Sequence, residues 1–426
     1  MKLILENIRT FSGFHEIPVR PLTLLTGENS TGKSTFLGML SAVCDPGFPF
    51  QPAFNKPPFD LGNYDTIATF KGGRFGRATS FSLGLDDEQE PNKRKRFIAQ
   101  YVNNRGRFRL KNFKLSAQNF SMSLEIEEVD DRQLRGKFTI NVLDKTVAKD
   151  FSLAGRSLDA RINPLVEILF ESLNRTDVEE EARRIVFGSL DYFAPLVSTK
   201  AISIAPIRTK PERNYSQIQE VYTPTGDHIP FLLEQLLRPD SVTRSKLLKT
   251  LKQFGDESGL FKSLQVRHLG DRATDPFQLL VTVAGRASNL VDVGYGVSQA
   301  LPVIVQASLM EGDQTLLLQQ PEVHLHPRAQ AALGTFFALL AASGSSKFLV
   351  ETHSDYIIDR VRQEVTKKTI PVEKVGILYF QRNGIESDCA LLDLDSNGNV
   401  VNAPPDYRNF FLREEVNLLT RTERSN

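Results

Sequence analysis

Four stretches of this chain combine residue types that handle phosphate, metal and water. The first is Thr26-Gly27-Glu28-Asn29-Ser30-Thr31-Gly32-Lys33-Ser34-Thr35, which fits G-x-x-x-x-G-K-S/T. Gly27 and Gly32 let the backbone curl so that successive N–H groups along Asn29, Ser30 and Thr31 face phosphate oxygens, with Thr35 closing the loop. The start of the following helix adds about half a positive charge. Lys33 is placed to reach β and γ phosphates, and the Ser34 hydroxyl to ligate Mg²⁺. The second stretch, Val293-Gly294-Tyr295-Gly296-Val297-Ser298-Gln299, has two glycines, a serine and a glutamine at the start of a helix, which is an anion site or an ordinary cap. The third is Leu316-Leu317-Leu318-Gln319-Gln320-Pro321-Glu322-Val323-His324-Leu325-His326-Pro327, and the fourth Phe348-Leu349-Val350-Glu351-Thr352-His353-Ser354-Asp355. Both are apolar strands that end in polar residues, and the edge formed by strand C-termini is where parallel α/β sheets bind ligands.

These groups need elements to hold them. Pro21-Leu22-Thr23-Leu24-Leu25 has the length of a buried strand, and residues 34–43 put Phe36, Leu37, Leu40 and Val43 on one helical stripe. Strand, glycine loop and helix is the context a phosphate-binding loop requires, so the chain is expected to bind a nucleoside triphosphate. Further strands are predicted at 2–7, 15–19, 201–205, 264–269, 277–283, 315–318 and 347–351. Helices are predicted at 165–187, 231–254 with a break at Arg238-Pro239, 298–310, 328–342 and 356–365. Alternating stretches between 97 and 147 read as an antiparallel meander inserted after the loop helix. The expected fold is α/β, a P-loop NTPase of ABC-ATPase type: a mostly parallel core sheet, an inserted antiparallel β-rich subdomain and a helical subdomain. The expected divisions are residues 1–44 as the N-terminal core lobe, 45–200 as insert, 201–289 as a strand plus helical and β subdomain, 290–370 as the C-terminal core lobe, and 371–426 as a strand-rich extension.

Taken together, the glycine loop with Asn29, the QPEVHLHP stretch and ETHSDYIIDRV resemble the prokaryotic ABC-type AAA family ATPases. These lie near the overcoming-lysogenization-defect ATPases and, more distantly, chromosome-maintenance heads. Ile204-Ala205-Pro206-Ile207-Arg208 and Asn409-Phe410-Phe411 add to the likeness, which spans most of the chain outside residues 80–195. The resemblance implies ATP and Mg²⁺ as cofactors and a homodimer or higher oligomer. In such a dimer the loop carrying Gly294, Gly296, Ser298 and Gln299 would cap the nucleotide of the second subunit. It also implies a place in anti-phage or DNA-related operons beside a separate effector. Overcoming-lysogenization-defect members carry a C-terminal Toprim nuclease; 73 residues follow His353 here, and no nuclease is expected in cis.

One departure is informative. Relatives usually carry Asp-Glu or Glu-Glu where this chain has Gln319 and Gln320, the first carboxylate serving the Mg²⁺ shell and the second positioning water. Gln319 can accept a hydrogen bond from a metal-bound water, yet neither glutamine carries charge or takes a proton. Three readings stay open: Glu322 substitutes as base; ATP acts as a dimer clamp with slow hydrolysis; or one glutamine is an engineered trap. The favoured reading is slow hydrolysis with Glu322, Gln320 and His353 taking part, His353 contacting the γ-phosphate or water.

Other features were weighed for different chemistry. Arg105, Arg107, Arg109 and Lys111 share one parity in a stretch without acidic residues from Pro91 to Asn119, and Phe97, Tyr101, Phe108 and Phe113 interleave. That suits nucleic acid or an acidic partner, although Glu125, Glu127 and Glu128 on the next strand could neutralise the face. Glu322, His324, His326 and His353 imitate a metal cluster, but Pro327 favours a loop. Asp393-Leu394-Asp395-Ser396-Asn397-Gly398 imitates a calcium loop, but Asn397-Gly398 reads as a hairpin turn.

Composition bounds these readings. A net charge of +1 over 426 residues offers no global argument for nucleic acid, and two cysteines, Cys44 and Cys389, exclude a disulfide framework. No apolar run is long enough to span a bilayer, so a cytoplasmic protein without membrane contact is expected. The expected role is an ATP-gated switch or scaffold in prokaryotic defence. The alternatives are a DNA repair or recombination ATPase that grips DNA directly and a non-hydrolysing assembly platform.

Overall fold

The structure is a computed structural model. It describes residues 1–73, 76–87, 94–117, 120–129, 133–142, 145–154, 180, 200–216, 221–272, 275–405 and 407. The helix expected at 165–187 and the Asn409-Phe410-Phe411 segment lie outside the described residues.

Two sheets stack across the P-loop helix. The first is antiparallel and eight-stranded. It comprises β1 (Lys2–Ile8), β2 (Phe11–Pro18), β4 (Ser80–Asp87), β5 (Lys95–Asn104), β6 (Arg107–Ala117), β7 (Phe120–Val129), β8 (Gln133–Val142) and β9 (Lys145–Ala154), in the order β2-β1-β4-β5-β6-β7-β8-β9. The inserted meander is therefore continuous with the N-terminal hairpin. Its inner face supplies Phe81, Phe97, Tyr101 and Phe113, which are fully buried with Phe36, Phe48 and Phe54.

The second sheet holds β3 (Leu22–Gly27), β10 (Ala201–Ile204), β14 (Thr315–Gln319), β15 (Lys347–Glu351), β16 (Val375–Asn383) and β17 (Glu386–Leu392), in the order β10-β14-β15-β3-β16-β17. Pairings from β10 through β16 are parallel, and β17 closes the edge antiparallel. Period-two alternation divides each strand between two cores. Leu25, Leu317, Leu349 and Leu378 face the aromatic cluster under the first sheet. Leu24, Leu316, Leu318, Val350 and Ile377 face the opposite layer of helices. A run apolar on both faces is the signature of a covered parallel sheet.

Helix α1 (Lys33–Val43) follows β3 directly, and α2 (Tyr64–Ile67) is a single turn. Then come α3 (Ile229–Leu236), α4 (Arg244–Ser258), α5 (Tyr295–Ser308), α6 (Pro327–Ser343) and α7 (Asp355–Thr366). The break expected at Arg238-Pro239 falls between α3 and α4. A small sheet of β11 (Ser263–His268), β12 (Phe277–Thr282) and β13 (Ser288–Asn289) completes the helical side. Strand β16, from the segment read as an extension, lies beside the P-loop strand, so residues after 371 help to build the core sheet. Among the described residues, no helix is long and apolar enough to cross a membrane.

Candidate nucleotide site

Because β10, β14, β15 and β3 run parallel, their C-terminal ends Ile204, Gln319, Glu351 and Gly27 share one edge of the sheet. The glycine loop departs from that edge. Gly27 sits at φ 131°, and a Cβ there would lie 2.0 Å from the Phe380 carbonyl oxygen. Its requirement for glycine therefore comes from close approach to β16 as well as from curvature. Gly32, at φ 100°, caps α1, and a Cβ there would meet the Phe11 ring at 2.7 Å. Thr31 Oγ1 donates to Glu28 O at 2.8 Å, holding the loop closed. Asn29 and Ser30 are exposed on the loop, Ser30 at φ 62°.

Lys33 Nζ donates to Gly27 O at 2.9 Å and Glu28 O at 2.5 Å, so the ammonium folds back across the loop it would serve. Burial holds its pKa below the ordinary lysine value, against the opposing pull of Glu351 and Glu28. Ser34 Oγ lies 3.0 Å from each carboxylate oxygen of Glu351. Gln319 Nε2 approaches the same carboxylate at 3.5 Å. Glu351 is 6% exposed, and burial pushes its pKa up while Ser34, Lys33 and Gln319 pull it down.

Glu351 was missed as a site residue by sequence reasoning. The strand end expected to supply carboxylates, at Gln319 and Gln320, has none, but the neighbouring strand delivers one beside Ser34. A signal was present in the ETHSD stretch, whose glutamate stands at the C-terminal end of an apolar strand. Ser34, Glu351 and the Gln319 amide form a set dominated by hard oxygens, which suits Mg²⁺ and not a soft transition metal. Arg9, also missed, donates from Nη1 to Thr35 Oγ1 at 3.1 Å, setting a guanidinium against the first turn of α1.

The remaining predicted residues divide by what their groups already bond. Gln320 sits in left-handed backbone at φ 45°, with its N–H donating to Glu351 O at 2.8 Å. Glu322 is 8% exposed, and its Oε1 accepts the His353 N–H at 2.8 Å. Burial pushes the Glu322 carboxyl up in pKa, opposed in part by that N–H and by Arg208. His353 is exposed, and partial burial with the charge of Lys33 holds its pKa below the usual histidine value.

The imitation metal cluster disperses. His324 stacks edge-on against Tyr295 at 4.9 Å, His326 Nδ1 caps α6 by accepting the Ala329 N–H at 3.3 Å, and Glu322 turns to His353. Among the described residues no group of three or more His, Cys, Asp or Glu could hold a metal ion. The calcium-loop imitation is a tight turn in which Asp395 Oδ1 accepts the Asn397 and Asn399 N–H groups at 2.8 Å each.

In the second stretch, Gly294 caps α5, and Gly294 with Tyr295 is exposed. Ser298 and Gln299 are buried at 6% and 1% exposure, and Ser298 Oγ donates to Tyr295 O at 2.8 Å. The surface this helix start offers to another molecule is therefore backbone from residues 294–296 with the exposed Tyr295 side chain, while Ser298 and Gln299 turn inward.

The basic strand needs correction. A register shift opposite Gln100 and Tyr101 makes Lys111 an extra residue in β6, and Arg105 stands in the β5–β6 turn at φ 53°. Arg107 and Arg109 keep one parity; the expected four-residue face does not form. Phe97, Tyr101 and Phe113 are core residues, and Phe108 packs on Phe54 at 4.8 Å, so these aromatics are not presented for base stacking. Glu125, one of the acids expected to neutralise the face, pairs in register with Asn112 and Lys137 and not with Arg107 or Arg109.

Residues 1–358 match the AAA ATPase domain family. The OLD nuclease of Thermus scotoductus (strain ATCC 700910 / SA-01) is 21% identical over 377 residues, 86% of this chain and 61% of that protein. The chain thus spans less than two thirds of that relative's length. Among solved structures, an SMC head bound to the C-winged helix domain of ScpA gives a TM-score of 0.46 at 11% identity, covering 92% of this chain and 97% of that one. The SMC head domain from Thermotoga maritima gives 0.40 at 11% identity, covering 92% and 98%. With a nucleotide loop, a Ser34–Glu351 pair at the sheet edge and a family match across residues 1–358, the chain belongs to the AAA ATPase domain family and has a P-loop α/β fold.

Proposed function

We propose that this chain binds ATP with Mg²⁺ at the edge formed by Gly27, Gln319 and Glu351, and that it turns ATP over slowly as an association switch. The observation that carries the reading is the Glu351 carboxylate 3.0 Å from the Ser34 hydroxyl, supplied by the strand next to the one with the two glutamines. Ser34 and Glu351 would hold Mg²⁺, which when bound neutralises phosphate charge and orients the terminal phosphoryl group. Lys33 exchanges its carbonyl partners Gly27 and Glu28 for phosphate oxygens. Gln320, with no proton-accepting side chain, orients water without activating it, which makes the cleavage slow. Glu322 positions the His353 backbone so that the imidazole faces the terminal phosphate.

Two copies associate when the exposed backbone at residues 294–296 of each meets the nucleotide of the other, with a separate effector reading the closed state in an anti-phage setting. Kinship with a protein named OLD nuclease supports that setting. Sedimentation of the protein with Mg²⁺ and ATP, alongside phosphate release, tests the proposal. The expected result is dimer formation at ATP concentrations that give turnover below about 1 s⁻¹, the low end of ordinary enzyme rates. Nucleotide binding indifferent to Mg²⁺ would overturn it.

A second reading, direct contact with DNA, is favoured by Arg107 and Arg109. Neither forms an ion pair among the described residues, and Arg109 Nε is buried without a hydrogen-bond partner there.

A further inference from the structure

Arg208 is 2% exposed and forms no ion pair among the described residues. Its guanidinium bonds backbone carbonyls instead. Nε donates to Ala205 O at 3.2 Å, Nη1 to Gln299 O at 2.7 Å and Pro321 O at 3.4 Å, and Nη2 to Gln320 O at 2.8 Å. These carbonyls belong to three segments: the end of β10, the start of α5, and the turn after β14. A planar fork of five donors can satisfy such a set, whereas an ammonium is a point with three.

The bonds on either side of Arg208 form a continuous path. Gln320, whose carbonyl takes Nη2, donates its own N–H to Glu351 O at 2.8 Å. The Glu351 carboxylate then meets Ser34 Oγ at 3.0 Å. At the other end, Gln299 lies in the first turns of α5, ahead of Pro302, which has no N–H to offer the carbonyl four residues earlier. The Ser298 carbonyl is therefore without that intrahelical partner, and the first turns of α5 are joined to the rest of the helix by one backbone bond fewer. Two further contacts tie the same parts: a Cβ at Gly296 would lie 3.0 Å from His324 O, and the Tyr295 and His324 rings touch.

We infer that Arg208 is a positioning residue that makes the start of α5 and the 319–322 turn move as one body, so that contact at residues 294–296 is transmitted to Glu351 and Ser34. This rests on the proposed switch for its purpose, though the mechanical coupling does not depend on hydrolysis. A residue that only filled space would stabilise both segments without linking them.

Arg208→Lys keeps the charge and most of the volume but cannot span all three segments. Arg208→Met serves as a second variant, with melting temperature reporting whether each folds. Backbone hydrogen exchange without nucleotide is the first measurement. Exchange in the lysine variant should quicken at least tenfold in the 319–325 turn and the first turns of α5, and stay at the wild-type rate in β3, β15 and α6. The second measurement is steady-state turnover, where kcat should fall at least tenfold with KM within about twofold. Unchanged exchange at the turn, or a uniform rise across the molecule, would overturn the inference. If the wild type binds ATP without turning it over, the hydrolytic part of the proposed function fails, and the exchange measurement still decides the role of Arg208.

Discussion

Replacing Glu351 by glutamine is expected to stabilise the nucleotide-free protein while weakening its hold on Mg²⁺. Both effects come from one buried carboxylate. Burial raises the Glu351 pKa above its usual value of 4.5, so the folded state holds its proton more tightly than the unfolded chain does. A raised acid contributes stability that is complete below about pH 4.5 and is lost as pH climbs through the folded value. Above about pH 4.5, keeping this 6% exposed carboxyl in the empty site therefore costs stability, and the neutral amide removes that cost. The melting temperature of Glu351→Gln should exceed wild type at pH 7.5, and the gain should shrink as pH falls and vanish well below pH 4.5, where both states of the wild type are protonated.

A weaker Ser34 contact, neutral instead of charge-assisted, offsets roughly 1 kcal/mol of the gain in the empty protein. The opposite effect appears with the metal. Loss of a full charge beside a dication is what weakens metal binding, since each unit pair near 4 Å at an effective dielectric of 20 interacts by about 4 kcal/mol. The apparent Mg²⁺ affinity measured with saturating ATP should fall at least about tenfold. A variant with wild-type Mg²⁺ dependence would refute the assignment of Glu351 to the metal site, and one less stable than wild type at pH 7.5 would refute the burial argument.

Other outcomes follow from the same geometry. Glu322→Gln retains an oxygen for the His353 N–H and should leave turnover within about threefold of wild type, whereas Gln320→Glu supplies a base and should raise it at least about tenfold; phosphate release measures both. His353, held below the ordinary histidine value by partial burial and Lys33, gives up its proton in more acid solution than a free histidine does. Turnover should therefore change little with this group above about pH 7.5 and fall on the acid side of the ordinary histidine range; a pH–rate profile of wild type against His353→Asn checks it. Gly27→Ala forces a Cβ to 2.0 Å from the Phe380 carbonyl and should cost about 3 kcal/mol or more in urea unfolding. If β6 grips duplex DNA, Arg107→Gln with Arg109→Gln should flatten the plot of log affinity against log salt by up to about 2, near 0.9 per phosphate contact.

Local features of this chain were legible because local physics makes them. The glycine loop lies between β3 and α1 as expected, and the apolar runs at 315–318 and 347–351 fall on β14 and β15. Helix α6 differs from its expected span by one residue at each end. What sequence could not reveal depended on sheet order. Ser34 and Glu351 are 317 residues apart and meet only because β15 slots between β14 and β3. Arg208 joins carbonyls 91 and 112 residues away, a role that no spacing within the IAPIR segment announces. The single shared face expected for Arg105 to Lys111 failed because a bulge and a turn interrupt it, events set by the partner strand.

The position of β16 separates two units that are easily equated. The match to the AAA ATPase domain family ends at residue 358, yet the strand forming the far wall of the P-loop begins at Val375. A fragment cut at the limit of similarity would strip β3 of one neighbour and leave the Phe380 side of Gly27 open. The P-loop strand would then become a raw sheet edge, prone to pair with other chains. Inheritance and folding have different borders in this protein, and any module joined after β17 would be leashed to the wall of the nucleotide site itself.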